Sequence, residues 1–209
     1  RSFPADFHPR LPVDQQAAAT VTTPAWTDPH VGGWGGGPEA CPAGHVARTP
    51  VVFVHGNTYD AAFWRATDTA DGSTTNVRSA FLNAGYCPNE LWAISYTGGM
   101  GYTTYNDINA GEVGDFVKAV VAYTGTAKVD VVSHSLGVTV VRRALQSDAA
   151  VATSVRRLVA IAGANHGTTS CRGSGTAHVS HVCEETEPGS AWLDDLNANG
   201  ELVPGVEHL

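Results

Sequence analysis

Residues 129–137 read Val129-Asp130-Val131-Val132-Ser133-His134-Ser135-Leu136-Gly137, and this stretch decides the fold. It begins with a mainly apolar run typical of a buried strand and leads into a helix-forming segment at residues 138–145. A serine at the centre of a tight turn between a strand and a helix is the pattern of a nucleophile elbow. The stretch therefore predicts that Ser135 is a nucleophile. Ser133 and Gly137 would be the small flanking residues that so tight a turn needs.

Strands and helices alternate on both sides of this turn. Continuous apolar runs predict strands at residues 50–54, 91–96 and 158–162, and helical spacing of apolar residues predicts helices at 77–85 and 107–125. Such alternation indicates an α/β fold with a mostly parallel sheet flanked by helices. Ligands bind at the carboxyl ends of the strands in these sheets, which is where Ser135 lies.

The regular pattern occupies residues 48–209, which we expect to form one domain. Residues 1–47 hold seven of the 11 prolines and the run Gly32-Gly33-Trp34-Gly35-Gly36-Gly37, so we expect an irregular arm there. After Gly163 we expect a long loop, a short helix capped by Ser190, and a tail at residues 198–209 with no clear strand.

Composition and charge exclude several classes of protein. The 209 residues include 20 acidic and 12 basic side chains, for a formal charge of -8, which argues against a nucleic-acid partner. No apolar stretch approaches the roughly 20 residues that a transmembrane helix needs. The chain begins at Arg1 and its one methionine is Met100, so we expect a processed form of the protein.

The four cysteines, Cys41, Cys87, Cys171 and Cys183, allow three sets of pairs. We expect Cys41–Cys87, because each of the two precedes a predicted strand at the same end of the sheet. We also expect Cys171–Cys183, which would close one loop rich in glycine, serine and histidine. An even number of cysteines and only two lysines favour an oxidising, extracellular compartment. Four free thiols in a cytosolic enzyme are the alternative.

A second motif, Val54-His55-Gly56-Asn57, follows the first predicted strand. A serine nucleophile needs an adjacent base, and it needs donors that stabilise the oxyanion formed on the attacked carbonyl. The candidate donors are the backbone N–H groups of Leu136, at the start of a helix, and of Asn57. Each motif alone could be an ordinary turn, but together they predict a serine hydrolase site.

Three segments of the chain resemble a known family: residues 50–57, residues 129–137, and Ile161-Ala162-Gly163-Ala164-Asn165-His166-Gly167-Thr168. They are similar to the extracellular α/β-hydrolases that comprise the class 2 bacterial lipases and the depolymerases of native polyhydroxyalkanoate. The stretch at residues 189–197 also resembles the lipases, and the resemblance runs from about residue 31 to the end of the chain.

The resemblance implies an α/β-hydrolase fold and a secreted serine ester hydrolase that acts on a lipid, a short ester or a polyester. It implies no cofactor. Ser135 matches the nucleophile that forms the acyl-enzyme, and Asn57 and Leu136 match the oxyanion-hole positions.

The acid and base of such a site follow the nucleophile along the chain, on two further strands. The 46 residues after Gly163 contain no stretch that predicts these strands. We therefore expect a C-terminally incomplete domain that lacks them, with the catalytic aspartate and histidine beyond residue 209. The alternative is an inactive hydrolase-like fragment or a binding module without an acid and a base.

The histidines of this chain are weaker candidates for the base. We expect His134 to point away from Ser135 and to pack against the domain, and His55 and His166 to shape loops.

One combination, His208 with Asp194 or Asp195, has the right chain order for a triad. However, both aspartates lie in a predicted helix, and no predicted strand positions His208.

A zinc site is an alternative for Cys171, His178, His181 and Cys183, because imidazole and thiolate are zinc ligands. The two cysteines are separated by 11 residues, which fits no common zinc site. We therefore favour the disulfide and expect no metal.

Overall fold

The computed structural model describes residues 33–35, 41, 46–65, 76–96, 104–170 and 180–209. Their strands are β1 (Gly33–Gly35), β2 (Val51–Val54), β3 (Leu91–Ile94), β4 (Val129–His134), β5 (Val155–Ile161) and β6 (Glu207–His208). These strands form one sheet in the order β1-β3-β2-β4-β5-β6. β1 runs antiparallel to β3 and the other neighbouring pairs are parallel, which confirms the mostly parallel sheet.

The helices of the described residues are α1 (Val77–Asn83), α2 (Asn106–Thr124), α3 (Leu136–Ser147), α4 (Ala149–Ser154), α5 (His181–Glu185) and α6 (Ala191–Asn197). α2 ends at Gly125, whose φ of 69° is the left-handed conformation that favours glycine. Ser190 caps α6 as predicted, because its Oγ accepts a hydrogen bond from the Leu193 N–H at 3.2 Å. None of these helices is long and apolar enough to cross a membrane.

The register of the sheet brings the two sequence motifs together. Val54, the last residue of β2, lies opposite Ser133 of β4, and Ser133 lies opposite Ala160 of β5. The carboxyl ends of β2, β4 and β5 therefore meet at one edge of the sheet.

The sheet separates two apolar cores. Val52 and Val54 of β2 belong to the core that contains α2, α3 and α4, whereas Val51 and Phe53 belong to the core that contains Trp34. Successive residues of a strand point to opposite faces, so β2 is covered on both sides. This double burial is why the strand appears in the sequence as a continuous apolar run.

The N-terminal strand β1 was not predicted, since it lies in the segment that we expected to be irregular. Trp34 pairs with Ala93 across the ladder, and its indole Nε1 donates a hydrogen bond to the Ala61 carbonyl at 2.6 Å. The flanking glycines allow this close approach, because a Cβ on Gly35 would lie 2.2 Å from the Trp92 ring. The glycine run therefore marks a tightly packed strand.

The C-terminal strand β6 was also missed, in the tail that showed no clear strand. His208 lies opposite Leu158 of β5, and Leu209 continues the ladder by accepting a hydrogen bond from the Ala160 N–H at 2.9 Å. A strand of two residues is too short for its periodicity to be recognised.

Cys41 and Cys87 form the predicted disulfide, with their Cα atoms 5.2 Å apart. The buried carboxylate of Glu90 supports the same junction. Its Oε1 accepts hydrogen bonds from the N–H groups of Ala47 (2.7 Å) and Arg48 (2.6 Å), and its Oε2 accepts one from Cys87 (2.9 Å). The segment before β2 is thus fixed to the start of β3.

The second predicted disulfide involves Cys171, which lies outside the described residues, so this pairing stays a prediction. His178 of the alternative zinc site lies outside them as well.

Candidate active site

Ser135 occupies a strained turn between β4 and α3. Its φ of 54° and ψ of -124° lie in a region that costs a residue other than glycine about 1–3 kcal/mol. The Ser135 N–H donates to the Ile161 carbonyl at 2.9 Å, and the Ser135 carbonyl accepts from the Val138 N–H at 3.0 Å. The end of β5 and the first turn of α3 therefore hold the serine in this conformation, as a nucleophile elbow requires.

Small residues surround the turn for steric reasons. Ser133 is fully buried within the sheet. A Cβ on Gly137 would lie 2.4 Å from the His55 carbonyl oxygen, and one on Gly56 would lie 3.0 Å from the Ser135 Cβ. The loop after β2 thus lies directly against the serine turn, and only glycine fits at residue 137.

Ser135 borders a cleft of about 220 Å³ at the carboxyl edge of the sheet. The cleft is lined by Asn57, Ser135, Leu136, Ala162, Gly163, Ala164, Gly167, Thr168, Ser170, Val182 and Thr186. The three predicted site residues, Ser135, Asn57 and Leu136, are therefore together at one cavity. The role of Asn57 and Leu136 as oxyanion donors stays a prediction.

Backbone strain is concentrated around this cleft. Among the described residues other than glycine, the positive φ angles belong to Thr58 (64°), Ser135 (54°) and Ala162 (50°). They follow β2, β4 and β5, whose ends form this edge of the sheet. Strained residues persist where the surrounding structure fixes them, and they cluster at functional sites.

His55 shapes the loop after β2. Its fully buried ring stacks on Tyr96, with ring centroids 4.2 Å apart, and Tyr96 Oη donates to the His55 carbonyl at 2.9 Å. His55 Nδ1 lies 2.8 Å from the Gly56 carbonyl oxygen, which can only accept, so Nδ1 carries the proton. Burial lowers the pKa of His55 to about 4, so the ring is neutral at neutral pH. This environment agrees with a structural role.

His134 does not line the cleft and packs against two aromatic rings, which agrees with the packed role that we expected. Its ring stacks on Phe63 at 5.2 Å between centroids, and the Tyr59 ring meets it edge-on at 6.4 Å. Burial lowers the pKa of His134 as well.

His166 belongs to the loop after β5, which forms one wall of the cleft. Its side chain is 80% exposed, and its Nε2 lies 2.7 Å from a carboxylate oxygen of Glu201. The buried Arg142 donates to the Glu201 carbonyl (3.0 Å) and to Asn197 Oδ1 (2.9 Å), and Asn197 Nδ2 donates to the Asn165 carbonyl (2.7 Å). These hydrogen bonds of Arg142 and Asn197 tie the loop to the turn after α6.

His208 lies far from Ser135. It pairs with Leu158, three residues before Ile161, which is about 10 Å along the strand. Its Nε2 accepts a hydrogen bond from the Val203 N–H at 2.9 Å.

The two aspartates proposed with His208 lie on α6, and Asp195 forms an ion pair with Arg143 at 2.5 Å. Neither aspartate borders the cleft, so the structure does not assemble this triad. Within the described ranges, no histidine lines the cleft.

Helix α5, which contributes Val182 to the cleft and lies next to Thr186, was not predicted from the sequence. Its residues fell within a stretch that we expected to be a loop up to about residue 188. One signal was present, because Ser180 caps the helix by accepting a hydrogen bond from the Cys183 N–H at 3.3 Å. A helix of five residues is too short to show an apolar period.

A strained serine turn at the carboxyl edge of a mostly parallel sheet, followed directly by a helix, defines an α/β-hydrolase. Comparison of the sequence with models of protein families identifies the family. The chain belongs to the lipase (class 2) family, whose sequence model matches residues 48–205.

Similar folds occur in lipases from fungi and bacteria. Lipase B of Aspergillus fumigatus is 15% identical, with a TM-score of 0.58 over 81% of this chain and 39% of that protein. The mature lipase BlEst2 of Bacillus licheniformis is 18% identical, with a TM-score of 0.59 over 82% of this chain and 66% of that protein. Phospholipase PlaB of Legionella pneumophila is 18% identical, with a TM-score of 0.57 over 78% of this chain and 38% of that protein.

The chain therefore spans less than two thirds of each of these three proteins. No curated protein sequence matches it.

Proposed function

We propose that this chain carries the nucleophile and the oxyanion hole of a secreted serine ester hydrolase. The observation that carries the proposal is the strained Ser135 turn, which shares one cleft with Asn57 and Leu136. Membership of the class 2 lipase family supports an ester as the substrate, whether a lipid, a short ester or a polyester.

The proposed reaction has two steps. Ser135 Oγ bonds to the ester carbonyl carbon and gives its proton to a base, the carbonyl oxygen becomes an oxyanion, and the alcohol then leaves with a proton. Water attacks the resulting acyl-enzyme and releases the carboxylic acid and Ser135. The backbone N–H groups of Asn57 and Leu136 would stabilise both oxyanions. Leu136 is the first residue of α3, where the helix dipole also favours negative charge.

Secretion is part of the proposal and has separate support. The Cys41–Cys87 disulfide is of a kind that forms and persists in oxidising compartments.

The test is hydrolysis of p-nitrophenyl butyrate by the complete gene product. We expect Ser135→Ala to reduce kcat/KM by at least about 1,000-fold, because it removes the group that forms the acyl-enzyme. Ser147→Ala, at the exposed far end of the same helix, is the matched control and should keep full activity. Activity that survives in Ser135→Ala would overturn the assignment.

A binding module without catalysis is the second candidate. It is favoured by one observation, that no histidine in the described part of the chain lines the cleft. Reaction of the complete gene product with a fluorophosphonate separates the two candidates. Labelling at Ser135 would support the hydrolase, and a folded protein that resists labelling would support the binding module.

A further inference from the structure

Two stacked rings, those of His55 and Tyr96, adjoin the loop that carries Asn57. Val54 of β2 lies opposite Ile94 of β3, so the residues that follow these two strands meet at the same edge of the sheet. The two rings are nearly parallel, at 4° to each other, with their centroids 4.2 Å apart. Both side chains are fully buried, and neither lines the cleft. The pair therefore supports the loop from the interior of the domain.

The carbonyl group of Gly56 is held by two donors. His55 Nδ1 lies 2.8 Å from the Gly56 oxygen, and the Tyr59 N–H donates to the same oxygen at 3.3 Å. Because a carbonyl oxygen can only accept, the neutral His55 ring carries its proton on Nδ1. The carbonyl therefore points to the buried ring and to the inside of the turn formed by residues 56–59.

The direction of this carbonyl determines the direction of the Asn57 N–H. The Gly56 C=O and the Asn57 N–H belong to one planar trans peptide unit, in which the two groups point in opposite directions. Since the oxygen points to the buried His55 ring, the N–H points away from that ring and out of the turn. Asn57 borders the cleft, so an N–H turned out of the interior has the direction that an oxyanion donor needs.

Tyr96 holds His55 through two contacts. Its Oη donates a hydrogen bond to the His55 carbonyl at 2.9 Å, and its ring covers one face of the imidazole. The same carbonyl lies against the start of α3, because a Cβ on Gly137 would be 2.4 Å from its oxygen. The backbone of His55 is thus fixed between the hydroxyl of Tyr96 and the helix that follows Ser135.

We propose that Tyr96 is a positioning residue for the reaction at Ser135. Through His55, it keeps the peptide unit between residues 56 and 57 turned so that the Asn57 N–H faces the cleft. This inference rests on the proposed function, in which Asn57 stabilises the oxyanion. The oxyanion exists in the transition state and hardly in the bound ester, so a change at Tyr96 should affect kcat and leave KM almost unchanged.

The experiment measures kcat and KM of the complete gene product on p-nitrophenyl butyrate. Each kcat is expressed per Ser135 titrated to completion with a fluorophosphonate, so that unfolded molecules do not count. Tyr96→Phe keeps the ring and loses the hydrogen bond to the His55 carbonyl. We expect it to lower kcat about ten-fold and to change KM by less than about two-fold, since removing an oxyanion donor outright costs about 100-fold or more.

Tyr86→Phe is the matched control for the loss of a tyrosine hydroxyl. Tyr86 packs edge-on against Phe81, with ring centroids 5.0 Å apart, and it precedes β3, whereas Tyr96 follows this strand. The control therefore lies at the end of the sheet opposite the cleft, and it should keep the wild-type kcat and KM.

Two substitutions at His55 test the link between Tyr96 and Gly56. The amide nitrogen of asparagine can take the place of Nδ1, whereas that of glutamine reaches the place of Nε2. We expect His55→Gln to lower kcat about 100-fold, because the Gly56 carbonyl loses a donor and the peptide unit can turn. His55→Asn should recover about ten-fold of that loss.

The double variant with Tyr96→Phe and His55→Gln tests whether both residues act on the same peptide unit. Residues that act through one another are not additive, so we expect its kcat to fall about 100-fold, as in His55→Gln alone. Two independent effects would instead multiply to about 1,000-fold, and that result would overturn the inference.

The remaining outcomes separate this inference from the proposed function. A wild-type kcat per titrated Ser135 in Tyr96→Phe, or a change in KM alone, would overturn the inference and leave the proposed function standing. If His55→Asn is as slow as His55→Gln, the link through Nδ1 is wrong and the inference fails as well. Absence of any Ser135-dependent hydrolysis by the wild-type protein would overturn both proposals.

Discussion

Gly137, the second residue of α3, allows a sharp test of how the serine turn is packed. A Cβ at this position would lie 2.4 Å from the His55 carbonyl oxygen and 2.8 Å from that of Val54. Ordinary contact of a Cβ begins at 3.4 Å, so the end of β2 would have to move by about 1 Å. Both neighbours are backbone atoms, which cannot rotate out of the way as a side chain can.

We expect Gly137→Ala to lower the free energy of unfolding by about 2 kcal/mol, which is within the range for overpacking in a core. The same movement would displace Asn57 relative to Ser135. A misplacement of about 1 Å in a catalytic group costs about 100-fold in rate, so ester hydrolysis should fall by about that factor.

Stability is measured by urea unfolding, followed by tryptophan fluorescence, and activity is measured on p-nitrophenyl butyrate with the complete gene product. Gly111→Ala is the matched control, because a Cβ at this position of α2 would meet nothing within 4 Å. This control should gain up to about 1 kcal/mol from helix propensity. The reasoning is refuted if Gly137→Ala unfolds at the wild-type urea concentration and keeps wild-type activity.

Two further predictions concern stability. The free energy of unfolding should fall as the pH drops from 6.5 towards 4, because burial lowers the pKa of His55 to about 4 while the unfolded chain binds the proton at the usual 6.5. His55 accounts for about 3 kcal/mol of this loss at pH 4. In urea unfolding across this pH range, His55→Gln should lose that part of the pH dependence of stability. A pH dependence equal to that of the wild type would contradict the assignment. Glu90→Gln should cost about 2 kcal/mol, since an amide nitrogen would then face a backbone N–H. The melting temperature in thermal unfolding measures this effect. The exposed Glu184→Gln is the control and should change the melting temperature little. Equal melting temperatures for the two variants would contradict the predicted role of Glu90.

The strands that flank the site could be predicted because they are buried on both faces. β2 appears as a continuous apolar run and β4 as a mainly apolar run interrupted by Asp130, and the serine turn adds a local signal that depends on short-range sterics alone. The positions of Ser135, Asn57 and Leu136 in one cleft then follow from the parallel register, which the alternation of strands and helices already indicates.

The parts that the sequence analysis missed depend on contacts between distant residues. β1 forms because Trp34 is buried against Phe53, with ring centroids 5.8 Å apart, and nothing in a glycine run indicates such a partner. One wall of the cleft includes Val182 of α5, and this helix and the residue after it are held by Asn106 and Thr168 from other parts of the chain. Short elements held by distant partners carry little local pattern of their own.

The short strand β1 lies outside the segment that matches the family model, but it is part of the sheet of this fold. The family match begins at residue 48, whereas β1 covers the outer edge of β3 from residues 33–35 and Cys41 is bonded to Cys87. A chain shortened to the family match would leave the N–H and C=O groups of that β3 edge unpaired, next to the apolar surface that Trp34 covers. Open edges of this kind recruit strands from other molecules. The glycine-rich strand thus covers a strand edge and an apolar surface that the family match leaves out, so a chain that keeps this sheet intact has to include β1 and Cys41.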